Sequence, residues 1–157
     1  MGRAITMNTK PTNPKDAISC DKAPLELCPD TLTVAASMAF LEGALKYGRF
    51  NWRVAGVRAS VYRGALMRHL FSWWNGEEID PASGLPHLYK AAACVAILID
   101  ATACDSLTDD RPPSAPVGEM LTYLEPHVKR LRKDLAKHEP KQYTIADSKL
   151  CRKSPTN

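Results

Sequence analysis

The sequence predicts an all-α fold, an oligomeric helical bundle, and three observations predict it. Three consecutive stretches, about 31–47, 60–75 and 86–104, repeat apolar residues at helical spacing. Each is bracketed by residues that start or stop helices, and short turns separate them. The only stretch that alternates like a strand, Lys22 to Pro29, contains Pro24 and Pro29, which argue for an extended strap over the surface.

Residues 1–30 are rich in Pro, Asn, Asp, Lys and Thr and read as an extended N-terminal arm. The first helix runs from Thr31 to Tyr47. Asp30 or Thr31 can cap it, and Gly48 fits the position just past its end. Leu32, Ala35, Ala39 and Glu42 fall along one stripe, with Val34, Met38, Leu41 and Leu45 beside it. Residues 48–59 read as a loop carrying Arg49, Arg53 and Arg58 with Phe50 and Trp52.

Ser60 is a good N-cap for the second helix, which extends to Asn75 before Gly76 stops it. Asp80-Pro81-Ala82-Ser83-Gly84 is turn chemistry, since proline biases the residue before it away from the helix. The third helix opens with Pro86 at its first position and continues to Cys104. Its run from Ala91 to Ile99 is apolar nearly all round, so it must be covered on more than one side, centrally or by a second subunit.

After a linker, Leu121, Leu124, Val128, Leu131 and Leu135 mark one more amphipathic helix, broken or kinked at Pro126. From His138 onward the chain is polar and expected to be disordered. The division is thus 1–30 arm, 31–107 helical catalytic core, and 108–157 linker, amphipathic helix and basic tail.

The net charge of +4 over 157 residues suggests nucleic-acid binding only until it is located. From Met120 to the C-terminus nine Lys/Arg face four Asp/Glu, while the other 119 residues carry twelve basic and thirteen acidic side chains. The basicity belongs to the tail. Five cysteines without a C-x-x-C pair, and no secretory h-region, fit reduced thiols in a cytoplasm. The longest apolar run, Ala91 to Ile99, is too short to span a bilayer.

One passage is denser in chemistry than structure alone requires. His69, Glu77, Glu78, Asp80 and His87 put two imidazoles and three carboxylates within 19 positions. Upstream lies the basic, aromatic run Lys46-Tyr47-Gly48-Arg49-Phe50-Asn51-Trp52-Arg53. Carboxylates suit hard divalent cations, and Lys and Arg suit phosphates. The combination points to metal-assisted chemistry on a phosphate ester or anhydride.

Plainer roles stand beside each of these. Glu77-x-x-Asp80 puts two carboxylates on one helix face if the helix continues, but equally describes a charged terminus with an Asp turn. His69, one turn from Trp73, fits ordinary packing as well as proton transfer. His87, at a helix N-terminus, is favoured as a neutral imidazole. Glu42 and Lys46 are spaced as a surface ion pair. Arg49 and Arg53 also suit solvated loop charges, and Trp52 a core position. Phosphate loops, dinucleotide fingerprints, adjacent His-Asp pairs and G-x-S-x-G elbows are all absent from the sequence.

Several strings over residues 13–104 resemble the phage-type dATP/dGTP diphosphohydrolases, a group similar to the all-α, MazG-like nucleotide pyrophosphohydrolases. They are Asn13-Pro14-Lys15-Asp16-Ala17, Lys22-Ala23-Pro24-Leu25, Gly43 to Arg53, Arg68-His69-Leu70, Gly76 to Leu88, and the Ala-rich helix ending at Asp100. The resemblance implies a MazG-like bundle forming a homodimer or homotetramer. It also implies hydrolysis of purine dNTPs, dGTP and/or dATP, to the monophosphate and pyrophosphate with Mg²⁺ or Mn²⁺. The ligands expected are Glu42, Glu77, Glu78, Asp80 and His87.

In that scheme Lys46, Arg49 and Arg53 neutralise the triphosphate, Asn51 with Trp52 recognises the base, and His69, Glu77 and Asp80 serve catalysis. The pattern departs from the MazG-like one in that Glu42 has no carboxylate three positions on, and the third helix opens with His87 instead of Glu. A different class of function, a non-enzymatic nucleic-acid or replisome accessory module, would rest on the basic tail.

Overall fold

The computed structural model describes residues 22–147, and within them the fold is helical. Its elements are α1 (Asp30–Tyr47), α2 (Asn51–Ala55), β1 (Val57–Arg58), α3 (Ala59–Trp74), α4 (His87–Ala103), β2 (Leu107–Thr108) and α5 (Val117–Leu135). Short 3₁₀ turns occupy Leu25–Leu27, Ala136–His138 and Ile145–Asp147. The Asn13–Ala17 string and most of the expected arm lie outside the described residues. Of that arm, Leu25 and Leu27 are seen in a 3₁₀ turn with both side chains exposed, not strapped onto the body.

Helix α4 is the centre, packed against α3 on one side and α1 on another. Alanine makes this possible. Ala36 and Ala39 of α1, Ala59 of α3, and Ala91, Ala93, Cys94 and Ala101 of α4 are the buried apolar residues. Small side chains let helix axes approach closely, at the cost of little apolar area per contact. The inner stripe of α1 is therefore Ala36 and Ala39, while Leu32, Val34, Met38, Leu41 and Leu45 remain exposed. The outward half of α4 is also open, with Ile99 66% and Val95 40% exposed.

The segment 48–59 is not a plain loop. Gly48 (φ 93°) ends α1 and Gly56 (φ 74°) ends α2, both in backbone conformations that suit glycine. A Cβ on Gly56 would also stand 3.0 Å from the Ser106 carbonyl oxygen. That close approach brings β1 alongside β2 in a parallel pair, with Val57 opposite Leu107 and Arg58 opposite Thr108. Residues expected as linker thus belong to the body.

Asp110 extends this correction. Its carboxylate accepts the Ser60 backbone N–H at 2.8 Å and the Ser60 hydroxyl at 2.5 Å. The first turn of α3 is satisfied by a residue fifty positions away, not by Ser60 acting as the cap. Helix α5 is continuous through Pro126, so of the break or kink expected there the break is not seen. Its apolar stripe, Leu121, Leu124, Val128, Leu131 and Leu135, is exposed throughout.

Candidate active site

Helix α3 stops at Trp74, and Gly76 (φ 95°) turns the chain before Glu77. The loop that follows closes on itself. The Asp80 N–H donates to Leu85 O at 2.9 Å, the His87 N–H to Glu78 O at 3.0 Å, and the Gly84 N–H to Asp80 O at 2.8 Å. Closure separates the two carboxylates of Glu77-x-x-Asp80, which do not share a helix face. Glu77 reaches His87, and Asp80 turns toward α4.

Asp80 is 9% exposed and holds its own turn, accepting from the Ala82 N–H and the Ser83 hydroxyl, each at 3.0 Å. Its main partner is Lys90, one turn into α4, whose ammonium donates to Asp80 Oδ2 and to Ser83 Oγ, the latter at 2.9 Å. The same ammonium stands 3.2 Å from Glu42 Oε2 on α1. Glu42 is paired again, with Lys46 one turn along its own helix. Carboxylates from α1 and the acid loop therefore converge on one cation.

These charges tune one another. The Lys90 hydrogen bond, helped by the Ala82 N–H, holds the Asp80 carboxyl far below the usual carboxylate range despite burial. The Lys46 hydrogen bond, with a weaker contribution from Lys90, lowers the Glu42 carboxyl against the opposing effect of burial. Burial pulls the Lys90 ammonium down, but Asp80 and Glu42 together outweigh it, so its proton is held more firmly than usual.

Beside this cluster stand the two histidines. His69 Nδ1 of α3 lies 2.9 Å from His87 Nδ1, and His87 Nε2 lies 3.2 Å from Glu77 Oε2. A carboxylate only accepts, so His87 donates from Nε2 to Glu77, and with both imidazoles neutral its Nδ1 lone pair accepts the His69 Nδ1–H. In that tautomer the lone pair of His69 Nε2 has no partner among the described residues. Burial, and then the positive charge of Lys90, pushes the His69 imidazolium to lower pH than usual, favouring the neutral base. His87 is 5% exposed.

The basic, aromatic run divides. Arg53 donates from Nε and Nη2 to both oxygens of Asp100, each at 2.8 Å, and the Trp52 indole N–H donates to Asp100 Oδ2 at 2.6 Å. Arg53, then Trp52, pulls the Asp100 carboxyl down to about 2. Arg53 is therefore a brace between α2 and α4, and its forked donors are already used. Trp52 packs between Phe40 and Phe50, with ring centroids 5.5 and 5.4 Å away. Phe50 adopts a left-handed conformation (φ 54°), held by Trp52 and by the Arg53 guanidinium 4.8 Å above its ring.

Trp52 and Phe40 also line a groove of about 900 Å³ between α1, α2 and α4, with Leu32, Val95 and Ile99 along it and Arg49 at its rim. Asn51 opens α2. Lys46 and Arg49 are exposed around the end of α1.

Of the five residues expected to share a metal, Glu42 and Asp80 meet at the Lys90 ammonium and Glu77 meets His87, so they form two pairs and not one set. His87 gives one ring nitrogen to Glu77 and the other to His69. Glu78 is exposed and contributes its backbone carbonyl to loop closure. Among the described residues, no three His, Cys, Asp or Glu side chains converge into a set that could hold a metal ion. Where two carboxylates do converge, an ammonium stands between them. The arrangement does not fit a preformed metal site.

Sequence reasoning missed Lys90, Ser83 and Asp100. Lys90 left a signal, as a single cation in a helix otherwise apolar from Ala91 to Ile99. So did Asp100, the acidic residue that ends that run.

Residues 12–111 match the profile of the family described as dATP/dGTP diphosphohydrolase, N-terminal, which covers 100 of the 157 residues. No curated protein and no solved structure matches the chain.

Proposed function

This chain belongs to the dATP/dGTP diphosphohydrolase, N-terminal family and is a nucleoside triphosphate diphosphohydrolase, and we propose that it converts purine dNTPs to the monophosphate and pyrophosphate with Mg²⁺ or Mn²⁺. The observation that carries this reading is the charged cluster itself. Glu42, Asp80 and Lys90 are drawn together between helices otherwise joined by alanine, beside a histidine whose second ring nitrogen has no partner among the described residues. Burying charge is costly and rarely needed to hold an alanine-lined contact.

In the proposed reaction a water attacks the α-phosphorus, its proton passes to His69 Nε2, and the bond from the α-phosphorus to the bridging oxygen breaks to release pyrophosphate. Glu77 and His87 hold His69 in the tautomer that can take that proton. Lys46, paired with Glu42, and Arg49, exposed past the end of α1, neutralise the triphosphate, which is most of what phosphoryl transfer asks of a protein. Trp52 and Asn51 border the groove and are the candidates for base recognition. Arg53, bound to Asp100, acts by fixing Trp52.

The exposed apolar faces of α1 and α4 support a homodimer or homotetramer, since large side chains there have no cover within the described residues. The reaction is tested by incubating the protein with each dNTP and Mn²⁺ or Mg²⁺ and separating the products. Monophosphate with pyrophosphate is expected, from dGTP or dATP. Orthophosphate or tripolyphosphate as the first product would assign the cut to another bond.

A further inference from the structure

Helix α5 lies beyond the matched residues 12–111, and its apolar side chains have no cover among the described residues. Val117, Leu121, Leu124, Val128, Leu131 and Leu135 are each between 44% and 63% exposed. They recur in steps of four, three, four, three and four, which is the seam pattern of a coiled coil. Apart from Met120, the flanking positions carry Gly118, Glu125, His127, Arg132 and Asp134, so the apolar stripe is narrow. A narrow seam suits one partner helix, whereas packing onto a helical body calls for a wider apolar face. Pro126 stands on the opposite side of α5, away from the seam.

The seam is symmetric about the middle of the helix. Two copies laid antiparallel set Val117 against Leu135, Leu121 against Leu131 and Leu124 against Val128, in register over the whole of α5. Charge favours the same direction. Val117 to Pro126 carries Glu119 and Glu125 and no Lys or Arg, while His127 to Leu135 carries Lys129, Arg130, Arg132 and Lys133 with one acid, Asp134. Antiparallel helices face the acidic half with the basic half, and parallel ones would bring the two basic halves together. The connection to the body opposes folding back onto it. Asp110 is fastened to Ser60, and the spacer that follows contains Pro112, Pro113 and Pro116, which stiffen it.

We propose that α5 is a self-recognition element, pairing antiparallel with α5 of a second copy as a two-stranded coiled coil. The contact is isologous, with its two-fold axis level with Pro126. It is separate from the exposed faces of α1 and α4. At about 28 Å, α5 is short for a coiled coil that stands alone. Bodies that associate through α1 and α4 hold two such helices at high effective concentration, which offsets that shortness. The inference does not depend on the proposed reaction, and turnover is not among its readouts.

Two measurements on the full chain test this. In the first, Leu121→Cys and Leu131→Cys chains are co-expressed, mildly oxidised and digested, and the disulfides are identified by mass spectrometry. Bridges from position 121 to position 131 should exceed same-position bridges by about fivefold or more. Predominance of same-position bridges would mean parallel helices, and bridges to Cys28 or Cys104 would place α5 on a body. Either result overturns the proposal, as does the absence of any bridge between two α5 helices. The second measurement follows amide hydrogen exchange in the wild type and in the Leu124→Glu, Leu131→Glu double variant, whose altered positions are exposed and leave the body intact. Unpairing should speed exchange along α5 by about tenfold or more while α4 is unchanged. Equal exchange of α5 in the two proteins overturns the proposal. So does wild-type protection of α5 that appears only with phosphatidylglycerol vesicles, which would assign the stripe to a lipid surface.

Discussion

Asp80 is the residue on which the site turns, and its pairing reverses a simple expectation. Two nearby carboxylates suggest relief when one becomes an amide, so that stability without metal would hold or rise. In the structure Asp80 faces Lys90, not Glu77, and its carboxyl is held in the charged form. Asp80→Asn should therefore lower stability by roughly 1–3 kcal/mol, because a largely buried ammonium loses one of its two counter-ions. Turnover should fall by two orders of magnitude or more. Glu77→Gln, at a side chain 48% exposed, should leave the melting temperature nearly unchanged while slowing turnover through the His87–His69 pair. Thermal melts beside initial rates for the two variants check both outcomes.

Asp100 gives a pH signature. Its folded carboxyl, near 2, is depressed below the ordinary 3.8 by Arg53 and Trp52. A depressed carboxyl contributes stability above the unfolded value, and this is lost as pH falls through the folded one. Melting temperature should thus drop between about pH 4 and pH 2, and Asp100→Asn should flatten that part of the curve. An unchanged acid slope in the variant would mean that the Arg53–Asp100 fork does not form in solution.

Among the elements, α1, α3 and α4 were legible because apolar period, glycine stops and the Pro86 start agree locally. Observed limits fall within a residue or so of those read from the sequence. What escaped was set by distant partners. Five-residue α2 is tied down by Asp100 almost fifty positions later. β1 and β2 are two residues each and exist only because Gly56 lets them meet. The candidate site divides the same way: His69, Glu77, Asp80 and His87 stood out as a dense string, whereas Lys90 gains its meaning from Glu42, 48 residues back.

Asp110 supplies the element-scale prediction. Its carboxylate closes the first turn of α3, so Asp110→Ala should lower the melting temperature by on the order of a few degrees. Ser60→Ala should cost less, since the backbone N–H bond to Asp110 survives. Differential scanning calorimetry of the two variants orders the effects, and a larger loss for Ser60→Ala would contradict this account of the cap.

At the scale of the whole molecule, the apolar surface of α1 and α4 predicts association. Light scattering at micromolar concentration should return a multiple of 17.3 kDa, and a monomer would count against the oligomer. The basic C-terminal region is separable from the chemistry in this account. Because β2 and Asp110 belong to the body, the informative truncation falls after Pro116. The shortened protein should keep hydrolysis, whereas loss of function together with salt-sensitive DNA binding would favour a nucleic-acid role for the tail. No helix among the described residues is long and apolar enough to cross a membrane.

The central claim is that water attacks the α-phosphorus of a purine dNTP at the Glu42–Lys90–Asp80 cluster. Its most direct test is hydrolysis of dGTP and dATP in heavy-oxygen water, with mass analysis of both products. The account predicts the heavy oxygen in the monophosphate and none in the pyrophosphate. Label in the pyrophosphate would place the attack at the β-phosphorus and contradict it.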